Sequence, residues 1–92
     1  MIKSIRHKSL RAWWESGRAS GLNADWTKRL TLIMARLDAA ASPEDMNDPG
    51  LQFHALSGNM KGRYLVRLTA NWRVTFGWQS DNAVDVDLED YH

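Results

Sequence analysis

The stretch Thr69-Ala70-Asn71-Trp72-Arg73-Val74-Thr75-Phe76 decides how the rest of the chain is read. Trp72, Val74, Phe76 and Trp78 alternate with Arg73, Thr75 and Gly77, the period of two of a strand with one apolar face. The spacing predicts a hairpin: Tyr64 to Thr69 runs in, Ala70-Asn71 reverses the chain, and Trp72 to Trp78 runs out. Asn71 suits the reversal because Asn tolerates the positive φ of a two-residue hairpin turn. Arg73 is then expected on the sheet face opposite its apolar neighbours.

Downstream of the hairpin, Gln79-Ser80-Asp81-Asn82 reads as a polar turn. After it, Val84, Val86 and Leu88 alternate with Asp85, Asp87 and Glu89 in a last strand. Upstream, Gln52 to Leu56 reads as a short strand, followed by a glycine-bounded loop from Ser57 to Gly62. Ser42-Pro43-Glu44-Asp45 has the cap and first turn of a short helical piece, and Asn47-Asp48-Pro49-Gly50 breaks the chain. Residues 42–50 therefore connect a helical front half to a strand-rich back half. In the front half, Asn23 can cap a helix whose stripe is Trp26, Leu30, Ile33, Leu37 and Ala40. Lys28, Arg29 and Arg36 lie off that stripe and are expected to be exposed. An earlier, shorter helix starts at a Ser9 cap, puts Leu10, Trp13 and Trp14 on one face, and stops at Gly17. Ile2 to Arg6 alternates as a short first strand. Helices first and strands in series afterwards predict an α+β fold, an antiparallel meander covered on one face.

Ninety-two residues suit one domain, 1–92, with five Trp and four Met to help build its core. The absence of cysteine excludes disulfides and thiolate chemistry and agrees with a cytoplasmic setting. No segment has the roughly 18 apolar residues of a membrane span. The basic N-terminus lacks the apolar run that a signal peptide needs. A net charge of +1 hides alternating blocks. Residues 1–36 are basic, 37–60 carry only acids, Lys61, Arg63, Arg67 and Arg73 follow, and the tail is acidic. Basic patches are compatible with a near-neutral total.

The residues able to do chemistry are His54, Arg73, Asp90, Tyr91 and His92, with Asn71, Lys61, Arg63 and Arg67 as RNA-binding helpers. No phosphate-cradling glycine loop and no hydrolase triad spacing is present. Local spacing gives no support to a metal site built from His54, Asp90 and His92, and no cofactor is expected. Histidine, arginine and a carboxylate suit metal-free RNA cleavage, in which the substrate's 2′-hydroxyl is the nucleophile. Imidazole can act as acid or base near neutrality, and Arg offers a permanent planar donor fork to phosphorane oxygens. The same residues also fit plainer roles: an edge-strand His at the surface, or Arg73 paired with Asp85 or Asp87 across strands.

Met-Ile-Lys-Ser at 1–4, Leu-Asp-Ala-Ala at 37–40, Phe-His-Ala-Leu-Ser-Gly at 53–58, Asn-Trp-Arg-Val-Thr-Phe at 71–76 and Asp-Tyr-His at 90–92 carry a resemblance. Together they resemble the HigB-like (host inhibition of growth) toxins, a branch of the RelE/ParE superfamily. The resemblance spans essentially the whole chain. It implies two N-terminal helices on a mainly antiparallel sheet. It also implies ribosome-dependent, metal-independent cleavage of messenger RNA in the decoding site of the 70S ribosome. A helix-turn-helix, HigA-like antitoxin would neutralise the toxin, and operator DNA would be met only through that antitoxin. Carried over residue by residue, His54 and His92 become the acid/base pair, Arg73 the phosphate clamp, Asp90 and Tyr91 orienting groups, and Asn71 a base contact. His92, beside its own α-carboxylate and Asp90, is expected to hold its proton tightly. Relatives commonly have Lys after His-x-Leu where this chain has Ser57, so either Lys61, Arg63 or Arg67 would supply that charge or the enzyme would be slower. Two other readings stand beside it: a gyrase-binding toxin of the ParE kind, which shares the fold, and a plain RNA- or protein-binding domain in which the histidines are incidental.

Overall fold

The computed structural model of the chain describes residues 1–91. Helix α1 (Lys8–Ser16) and helix α2 (Thr27–Ala39) precede four strands: β1 (His54–Ala55), β2 (Arg63–Arg67), β3 (Trp72–Gln79) and β4 (Asn82–Asp90). The strands pair antiparallel in the order β1-β2-β3-β4. The expected α+β meander is therefore observed.

The predicted stripe of α2 is the dry side of the molecule. Leu30, Ile33 and Leu37 of that stripe, joined by Met34, are fully buried and face Val66, Val74, Phe76 and Leu88 from the sheet. Each such side chain contributes about 1.5–3 kcal/mol through removal from water. Trp13, Trp14, Trp26 and Trp72 are half-buried around this core, and Trp26 meets Trp72 at a ring separation of 5.0 Å. Gly17 ends α1 in the left-handed conformation, at φ 73°, and donates to the carbonyls of Ala12 and Trp13.

Several local expectations are corrected. The α1 cap is His7, whose Nδ1 accepts from the N–H of Leu10 at 3.1 Å; Ser9 already lies inside the helix. Asn23 caps a single 3₁₀ turn, Ala24–Trp26, that leads into α2. Ile2 to Arg6 makes only isolated bridges, Ile2 to Ala83 and Ile5 to Val86, parallel to β4. The strand expected over 52–56 shrinks to His54–Ala55, and β2 stops at Arg67.

Two of the three cations placed off the α2 stripe are half-buried and occupied. Arg29 donates to the carbonyls of Arg67 and Gly50, tying α2 to the end of β2. Arg36 meets Asp48 at 2.8 Å. Lys28 alone of the three is exposed.

The last strand does not alternate throughout. A register shift between Thr75 and Gly77, with Asp85 at φ 50°, inserts an extra residue into β4. Val84 thus sits opposite Gly77 while Leu88 sits opposite Val74, so Val84 and Leu88 face opposite sides. Ala83 takes the core position that strict alternation assigned to Val84.

Candidate active site

Directly paired residues in an antiparallel sheet share a face, so the register defines what lies on the side away from the helices. One row is His54, Leu65, Thr75 and Asp87; the next is Arg67, Arg73 and Glu89. Arg63 and Gly77 form a third. Arg73 does lie opposite the apolar face, as the alternation predicted.

The centre of this face is tied together across three strands. Arg63 Nη2 donates to Thr75 Oγ1 at 3.0 Å and to the carbonyl of Asp85 at 2.9 Å. Thr75, fully buried, meets Glu89 Oε2 at 2.5 Å. Arg63 reaches β4 over Gly77, where an added Cβ would stand 3.6 Å from the guanidinium and 3.3 Å from Val84. Arg63 Nε is buried without a hydrogen-bond partner. Arg63 is therefore a framework residue of the sheet, half-buried and committed, where the sequence suggested an RNA-facing cation.

The β2–β3 loop is a four-residue link, Leu68 to Asn71, and differs from the predicted turn. Asn71 has no positive φ. Thr69 shapes the reversal: its Oγ1 accepts from the N–H groups of Asn71 and Trp72 at 3.4 and 3.1 Å. Arg73 Nη1 donates to the carbonyls of Thr69, Ala70 and Trp72 at 2.7, 3.3 and 3.1 Å. Arg67 Nε adds a bond to Thr69 at 3.3 Å. A guanidinium carries five N–H donors, and these bonds engage only one nitrogen of each arginine. No cross-strand pairing of Arg73 with Asp85 or Asp87 arises, since Arg73 stands opposite Glu89. Asp85 instead meets Arg6 at 3.7 Å.

The remaining sequence candidates are spread out. His54 is exposed on β1, at the sheet edge remote from β4, about 14 Å away across three strand spacings. Lys61 is exposed in the loop before β2. Asp90 pairs with Trp72 and so starts from the helix-side row, one residue out of phase with Glu89. Tyr91, 40% exposed, is anchored by its N–H to the carbonyl of Asn71. His92 lies outside the described residues, and with it half of the expected acid/base pair. Among the described residues, no group of three His, Asp or Glu is placed to hold a metal ion. Thr75 and Glu89 share this face with Arg67 and Arg73, and sequence reasoning misses them. The signal available is Glu89's place in the same alternation as Asp85 and Asp87, a pattern that describes solvated surface equally well.

Residues 3–92 match the family described as RelE-like toxin of type II toxin-antitoxin system HigB. The chain is 34% identical over 92 residues to the Endoribonuclease HigB of Proteus vulgaris, covering all of both proteins. Its fold also resembles a copper-bound mutant toxin from Helicobacter pylori. That likeness has a TM-score of 0.56 and 18% identity, over 98% of this chain and 94% of that one. Helices on one side of a short antiparallel sheet, with a polar face left open, make this a RelE-like toxin fold. Within that class, the chain belongs to the HigB-like toxins of type II toxin–antitoxin systems, whose partner is an antitoxin.

Proposed function

We propose that this toxin is a ribosome-dependent endoribonuclease that cuts messenger RNA without a metal ion, using the substrate's 2′-hydroxyl as nucleophile. Endoribonuclease chemistry is supported by the full-length likeness to a relative named for that activity. The observation that carries the reading to residues is the open sheet face, where the Arg67–Arg73–Glu89 row adjoins the anchored Tyr91.

Arg73 and Arg67 bind the phosphate around the cleaved bond, through guanidinium donors not used on the β2–β3 loop. Such donors stabilise charge as it develops on the phosphorane oxygens. Tyr91 stacks on a base, and Asn71 contacts the nucleotide at the loop tip. Lys61 supplies the charge that Ser57 lacks. An imidazole, His54 or His92, donates the proton to the leaving 5′-oxygen, with Asp90 orienting the end of the chain. The products are a 2′,3′-cyclic phosphate and a 5′-hydroxyl. The toxin works in the cytoplasm as a single domain, 1–92. A helix-turn-helix antitoxin holds it inactive and alone carries it to operator DNA.

Incubation with programmed 70S ribosomes, followed by mapping of message 5′ ends, tests this. Cuts are expected in the decoding-site codon and not in naked message. Equal cutting of naked message would remove ribosome dependence. Gyrase inhibition without any cleavage would favour a ParE-like toxin, which needs no proton-transfer groups.

A further inference from the structure

We infer that Glu89 is a catalytic residue of this site, the carboxylate that accepts the proton of the attacking 2′-hydroxyl. The inference rests on the endoribonuclease reading above and goes beyond it by assigning the base.

Register supports the choice first. Glu89 is directly opposite Arg73, and Arg73 directly opposite Arg67, so a phosphate held by those guanidiniums lies over the row that carries Glu89. Asp90 belongs to the opposite phase, across from Trp72. His54 starts from the far edge strand.

Donor bookkeeping supports it next. A guanidinium can only donate, so Thr75 Oγ1 must accept from Arg63 Nη2. The single hydroxyl hydrogen of Thr75 is then left for Glu89 Oε2. That carboxylate oxygen then accepts from the hydroxyl. The fixing chain runs from the Asp85 carbonyl at the bulge through Arg63 and the buried Thr75 to Glu89. It holds one carboxylate oxygen, Oε2, on the framework, and the other, Oε1, is the one assigned to the substrate. Preorganisation of this kind is what proton transfer in a transition state needs.

In the step itself, Oε1 takes the 2′-hydroxyl proton as O2′ forms its bond to phosphorus. The P–O5′ bond breaks, and the leaving 5′-oxygen takes a proton from the imidazolium assigned above. The 2′,3′-cyclic phosphate and 5′-hydroxyl account for all atoms, and Glu89 ends protonated. Thr75 and Arg63 are positioning residues.

The test is single-turnover cleavage on programmed ribosomes, followed across pH, with melting and ribosome binding measured in parallel. Glu89→Gln keeps an amide oxygen for the Thr75 hydroxyl but cannot take the proton of the 2′-hydroxyl. It should melt like the native toxin, bind ribosomes within about twofold, and cleave about 10²–10⁴-fold more slowly. The acid limb of the native pH–rate profile should be absent in this variant. Thr75→Val should lose about tenfold in rate, and Thr75→Ser should restore it. Cleavage by folded Glu89→Gln within about threefold of native, with the acid limb intact, would overturn the assignment. So would a rate loss that merely follows a loss of folded protein. If the native toxin itself cuts no ribosome-bound message, the underlying reading fails, and the assignment with it.

Discussion

The two faces of the sheet are built on different physics. On the helix side, Val66, Val74, Phe76 and Leu88 meet Leu30, Ile33, Met34 and Leu37, and shape and hydrocarbon area do the holding. On the open side, Arg63, Arg67, Arg73, Thr75 and Glu89 are held by hydrogen bonds that cross strands or fold back onto a loop. The difference teaches that burial does not separate framework from function here. Thr75 is as buried as Phe76, yet its contacts belong to the polar side.

Substitutions on the two faces should therefore separate rate from stability. The largest effect is expected on rate. If an imidazole on β1 takes part in proton transfer, His54→Ala should slow single-turnover cleavage by about 10²–10⁴-fold. Its melting should be unchanged, because His54 is exposed. Unaltered cleavage would leave the acid to His92. On the dry side, Leu37→Ala should cost about 2–5 kcal/mol in urea melts. Its cleavage per folded molecule should stay native; a rate loss beyond the unfolded fraction would mean that core packing sets the geometry of the open face.

Arg29 links the two regimes, since it stands on α2 but bonds the carbonyls of Arg67 and Gly50. Arg29→Met should cost about 1–3 kcal/mol, measured by chemical denaturation, as those carbonyls lose charged donors. The smallest effect concerns Asp48, whose carboxyl is held below its ordinary value of 3.8. The hydrogen bond from Arg36 is the main cause, with the Gly50 N–H adding to it. A lowered folded-state value gives stability that is present above 3.8 and lost as pH falls through the lowered value. Native toxin and Asp48→Asn should thus differ slightly near neutrality and converge in acid melts; a constant gap would show that the charge is immaterial.

The helix side is legible in the sequence because period and burial coincide: the spacing of Leu30, Ile33 and Leu37 needs only one helix and one flat partner. The strand at Trp72 is legible for the same reason. The bulge at Asp85 is not, because an inserted residue leaves the composition of β4 unchanged while turning Val84 away from the core. Arg29 and Arg63 read as surface cations because their acceptors are backbone carbonyls 38 and 22 residues away, which carry no sequence signal. Arg73 falls on the predicted face, yet its hold on the β2–β3 loop is invisible in the sequence. Nothing in the sequence singles out Glu89 over Asp90, since alternation orders a strand's residues but cannot say which row shares a register with Arg73.

The parallel contact between the N-terminal segment and β4 has a consequence for how the toxin is made. Ser4 Oγ accepts from the N–H of Asp85, 81 residues later, and the carbonyls of Ala83 and Val86 take the N–H groups of Lys3 and Arg6. The segment around Ser4 therefore waits for β4 before its hydrogen bonds can close, and loop closure of that span precedes any reward from the contact. Until β4 has been made, the chain lacks the partner of Arg73, the acceptor of Thr75 and Tyr91 itself, which follows β4 and bonds back to Asn71. An unfinished chain is thus without the strand that completes the open polar face.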